Sequence, residues 1–203
     1  MAAKYGFSNV REALVEDLKG AYPTRWEDFE VASVLGEDIF GSAKPHPNAV
    51  LNLFLEQNIK FALPFAAYRA GLGSPSSLVS DEPGTILPRP ALASIIHRMG
   101  VTRRVMTHAT YGIVYLWDLG ECPDGLCVLS VGAGQERMEA LKKISEVMFD
   151  VNEGDMLTPP ALGTLTCANW AKRLEKTHLD CRKDFVWALL PNLLGWESWE
   201  GAE

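Results

Sequence analysis

Prolines cut this chain into segments, and most of the segments carry the period of an amphipathic helix. Pro23, Pro45, Pro47, Pro64, Pro90, Pro159, Pro160 and Pro191 are spread over its whole length. A proline inside a helix removes a backbone donor and clashes with the preceding turn, so each marks where a helix begins or has stopped. Asn9 and Glu12 have capping-box spacing, and Val10, Ala13, Leu14 and Leu18 recur on one face as far as Gly20. Thr24 and Glu27 repeat that spacing before Trp26, Phe29 and Val34. Ala49 to Ile59 is a short apolar helix, and Pro64 fits as the first residue of the next, which ends near Gly71. Pro90 to Met99 and Val101 to Leu119 read as two helices divided by Gly100. Gln135 to Val151 and Ala161 to about Phe185 complete the pattern, and Val186 to Leu190 leads into Pro191. The fold class that follows is all-α: an irregular bundle of about eight or nine helices, with room for a short β-hairpin near residues 120–130, where CPDGLC makes a tight turn.

Residues 71–90 hold GLGSPSS and DEPG with little apolar periodicity, and read as a loop or linker. It separates a helical stretch at 1–70 from a C-terminal helical region at 91–203.

With 47% hydrophobic residues in 203, the chain can bury a core without disulfide or metal staples. Four cysteines are too few for a disulfide framework and read as small core hydrophobes. No apolar run is long enough to cross a membrane, and the N-terminus reaches Arg11 and Glu12 without the core of a secretory signal, so the expected setting is intracellular, nuclear or cytoplasmic. The net charge of −7 and the scattered Lys and Arg lack the footprint of a nucleic-acid binder.

No chemistry-bearing motif stands out. Val131–Glu136 (VGAGQE) lacks the third glycine and the βαβ setting of a dinucleotide turn, and reads as a loop ending at a helix. Zinc is one alternative: Cys122 and Cys127 flank a turn, and His178 and Cys181, three apart, share a helix face. The four residues between the first pair depart from the usual two, and Cys167 lies roughly 21 Å along a helix from Cys181. A Cys181 and His178 enzyme is a second alternative, weakened because Asp180 points away from their shared face and cannot orient the imidazole. His97 and His108 read as ordinary, partly buried histidines. Trp187, Trp196 and Trp199 around Leu189–Pro191 and Leu193–Leu194 read as a tail docked on the body.

Taken in order, several stretches resemble the C-terminal helical half of fungal, mushroom-type BTB/POZ domain proteins. Ala2, Lys4 and Tyr5, the helix Val10–Leu18 and the Tyr22-Pro23 stop are similar to the segment that closes the BTB fold. Leu63, Pro64, Ala66 and Tyr68 match a helix-pair signature, Leu87 to Gly100 loosely match a proline-led helix, and Cys181, Trp187, Leu190 and Pro191 match the closing turn. The resemblance implies a BACK-like helical portion lacking the BTB core expected before Lys4, from a shortened protein or a truncated gene. It implies a non-enzymatic interaction or scaffold module with a protein partner and no catalytic residue, cofactor or metal. It also implies self-association through an N-terminal helix that exposes Tyr5, Phe7, Val10 and Leu14.

Overall fold

The structure is a computed structural model that describes residues 8–29, 45–72, 78–79, 82–112, 135–153, 156–157 and 167–202. The described residues are all-α and contain no strand. Six α-helices are α1 (Ser8–Ala21), α2 (Pro47–Glu56), α3 (Leu63–Gly71), α4 (Arg89–Tyr111), α5 (Gln135–Glu153) and α6 (Ala168–Cys181). Residues 26–29 add one helical turn, and 3-10 turns cover Lys60–Ala62, Trp187–Leu194 and Trp199–Ala202. Seven α-helical segments among the described residues are slightly fewer than expected. The expected hairpin near 120–130 lies outside the described residues.

Contacts gather the chain into two units. One comprises Met1–Met99 with Leu190–Glu203, the other Gly100–Leu189.

The first unit is organised around α3, which is buried at every position except Arg69. Pro64 sits in its first turn, where its missing N–H has no partner to lose. Phe65 and Tyr68 stack with ring centroids 6.1 Å apart, and Tyr22 meets Phe54 edge to face at 4.8 Å. Phe29 approaches Phe65 at 5.8 Å, so the turn after α1 is fastened by aromatic packing. The small residues of α3 let its neighbours come close: a Cβ built on Gly71 would lie 2.7 Å from Met99 Cγ and 3.2 Å from Ile95 Cγ2 of α4. Leu78 and Leu87, from the expected loop, are buried, as are Leu190 and Leu193 near the C-terminus. Trp199–Ala202 packs on Lys60–Ala62, so that end of the chain does dock back.

Two asparagines of α2 anchor backbone that lies between α3 and α4. Asn48 Nδ2 donates to Leu78 O at 3.3 Å. Asn52 Nδ2 donates to Gly84 O at 3.0 Å and to Ile86 O at 2.9 Å. His46 caps α2, its Nδ1 accepting from Asn48 N–H at 3.2 Å.

The second unit has its own core. Ile144 and Met148 of α5 pack with Trp170, Ala171 and Leu174 of α6, and Cys167 and Cys181 lie half-buried against that cluster. Thr102, Met106 and Thr110 of α4 are also buried.

The expectations at Pro191, Gly100, His97 and His108 need correction. Pro191 lies inside the 3-10 segment Trp187–Leu194 rather than at a helix end, because its fixed φ suits a 3-10 turn. Gly100 does not divide a helix: α4 runs unbroken through it, because glycine is tolerated in a helix interior at a cost of about 1 kcal/mol, and no breaker accompanies it. His97 and His108 are exposed rather than partly buried, since the continuous helix turns both toward solvent.

Candidate functional site

An apolar groove of about 390 Å³ opens on the first unit, lined by Leu18, Pro45, Ala49, Val50, Leu53, Phe54, Gln57 and Ile59. Its long wall is one face of α2, because positions 49, 50, 53, 54 and 57 recur at helical spacing. α2 carries Val50, Leu51, Leu53, Phe54 and Leu55, and the core buries only Val50, Leu51 and Phe54 of these. Phe54 is buried and forms the floor, whereas Leu53 keeps 51% of its surface in solvent. Leu14, one turn before Leu18 on α1, is 53% exposed.

The end of the groove is shaped by how α2 stops. Asn58 takes φ 54°, a left-handed conformation that asparagine tolerates better than most residues. Asn58 N–H donates to Leu55 O at 3.3 Å, and Ile59 N–H donates to Phe54 O at 2.9 Å. These two bonds make a Schellman closure, whose usual hydrophobic contact joins the residues at the Phe54 and Ile59 positions. Both residues line the groove, so the helix stop also builds the groove's end. The same closure ends the turn Trp187–Leu194, where Gly195 has φ 87° and Trp196 N–H donates to Pro191 O at 3.2 Å.

The residues of the zinc and enzyme alternatives fall differently. Cys122 and Cys127 lie outside the described residues. Among the described residues no three His, Cys, Asp or Glu side chains converge as a metal site. His178 and Cys181 do share the inner side of α6. His178 is fully buried, in a column with Trp170, Leu174, Arg182 and Val186 that continues into a π-helical turn, Arg182–Val186. Burial, with Arg182 beside it, pushes its pKa down to about 3, so the imidazole is neutral at pH 7. Neither ring nitrogen has a hydrogen-bond partner among the described residues, so no Cys181–His178 bond forms. Burial pushes the Cys181 thiol up, and the carboxylates of Asp184 and Asp180 add to that against the pull of Arg182. A thiol held protonated beside an imidazole held neutral is the reverse of an activated nucleophile and base.

Of the apolar positions expected on the N-terminal helix, Leu14 is exposed. Tyr5 and Phe7 lie outside the described residues. The groove was not evident from the sequence. Its one signal was the run Val50-Leu51-Asn52-Leu53-Phe54-Leu55, which has more apolar residues than one buried face can use.

Comparison of the chain with protein-family models, with curated proteins and with solved structures found no match. Among the described residues, no helix is long and apolar enough to cross a membrane.

Proposed function

We propose that the chain is a non-enzymatic docking module whose first unit receives the apolar face of an amphipathic helix from a partner protein. The observation that carries this reading is the groove along α2, with Leu53 on its rim and Leu18 on its far wall. Helix-in-groove recognition takes apolar anchors at i, i+3 or i+4, and i+7, a spacing that suits a groove walled by one helix face. The ordered likeness to the post-BTB helices of fungal BTB proteins supports the same reading, since helices of that kind act as spacers and docking surfaces.

The test uses an isotope-labelled full chain and an amphipathic helical peptide with leucines at those spacings. Chemical-shift changes centred on Leu18, Ala49, Leu53 and Gln57 are expected, and Leu53→Glu should weaken binding by about tenfold or more by placing a carboxylate on the apolar rim. Shifts scattered elsewhere, or binding that ignores Leu53→Glu, would sink the reading. Light scattering without peptide separates a second copy from a foreign partner: a dimer that dissociates in Leu53→Glu would assign the groove to self-association.

A further inference from the structure

α4 is the longest helix among the described residues, and it contains no Asp or Glu. It does contain Arg89, His97, Arg98, Arg103, Arg104 and His108, in a chain whose net charge is −7. Val101, Arg104, His108 and Tyr111, all in the second unit, follow at spacings of three and four and fall on one stripe. All four are exposed, including 37% of Val101 and 49% of Tyr111. The stripe extends about 15 Å at 1.5 Å per residue.

A helix face that only meets water normally mixes signs, with acids and bases paired one turn apart. Here Arg104 has Gly100 and His108 one turn away and no acid. Its Nε donates to Gly100 O of its own helix at 3.3 Å. His97, Arg104 and His108 form no ion pair among the described residues. The combination of cationic and N–H-donating side chains with apolar ones calls for an anionic, partly apolar partner.

We infer that the Val101–Tyr111 stripe of α4 docks an acidic amphipathic peptide segment of another protein. A partner carboxylate pairs with the guanidinium of Arg104, and another accepts from the imidazole N–H of His108. An apolar side chain beside them covers Val101. Nucleic acid fits less well, because the stripe is in single file, apolar residues interrupt it, and the chain's overall negative charge repels a polyanion. The stripe shares no residue with the groove, and neither reading depends on the other.

Fluorescence anisotropy with a fluorescein-labelled peptide, glutamates at every third or fourth position and leucines between them, tests the inference on the full chain. Saturable binding that weakens with added salt is expected. Arg104→Glu should reduce affinity by about tenfold. Arg69→Glu, an equal charge reversal at an exposed position on α3, should change it by less than about twofold. Circular dichroism of both variants confirms the fold. Absence of saturable binding, equal losses in the two variants, or tighter binding of a labelled oligothymidylate than of the peptide would each overturn it.

Discussion

His178 shows how one buried side chain sets a pH limit. In the unfolded chain its imidazole titrates near 6.5, and in the folded protein near 3. Above pH 6.5 both forms are neutral and the group makes no difference. Between pH 6.5 and about 3 the unfolded chain binds a proton that the folded one refuses, so stability falls as pH drops. The expected slope is on the order of 1 kcal/mol per pH unit. Urea midpoints measured down the pH scale should fall more steeply in the wild type than in His178→Leu. Parallel curves for the two proteins would show that the imidazole does not set the limit. Gly71 is a second case at this scale. An alanine methyl would meet the middle of the Met99 side chain at 2.7 Å, inside a packed core. Gly71→Ala should therefore lose about 1–3 kcal/mol despite alanine's better helix propensity, read as a lower Tm by circular dichroism.

At the scale of elements, the opposite result is expected for the other α4-associated glycine. A Cβ at Gly100 meets nothing within 4 Å, and its φ is not positive. Gly100→Ala should stabilise by up to about 1 kcal/mol, and an unchanged or lower Tm would contradict an unbroken α4. This glycine also marks where sequence reading ran out. Isolated glycine looks like punctuation in a pattern, but its weight depends on whether neighbours hold the helix together, which Met99 and Met106 do by burial. Pro64 was legible because a proline has few places to go: it falls in the first turn of α3, as its chemistry requires. The end of α2 was harder to see. Asn58 adopts the left-handed conformation that glycine would take more cheaply, so Asn58→Gly should stabilise by a few tenths to about 1 kcal/mol. A denaturation midpoint that falls in that variant would count against the Schellman closure.

At the scale of the whole molecule, the all-α class was readable from period alone, because amphipathic spacing survives whatever the tertiary arrangement. The two cores were not readable, since long-range partners leave no local trace: Leu190 and Leu193 join a unit that otherwise ends at Met99. The groove escaped for a related reason. Surplus apolar residues on α2 look identical in sequence whether a neighbour covers them or not. Net charge acts at this scale too. At pH 7 the −7 charge opposes association of copies, and near the sequence pI of about 5.2 that repulsion vanishes. Light scattering at constant concentration should therefore rise as pH approaches 5.2, and a flat profile between pH 7 and 5 would show that exposed Leu14 and Leu53 do not drive contact between copies.

The asparagines of α2 place an unusual division of labour on the chain. Asn48 and Asn52 grip residues 78, 84 and 86 by their backbone carbonyls, a group that every amino acid supplies. The gripped segment can therefore exchange the exposed side chain of Ile86 without losing that anchor point, whereas Gly84, at φ 83°, is held to glycine by its own backbone conformation. The helix has no such latitude. Replacing one amide nitrogen with oxygen, as in Asn52→Asp, turns a donor toward two carbonyls into a third acceptor. At these contacts the demand for residue identity falls on the helix that donates, while the segment that accepts does so with a group all sequences share.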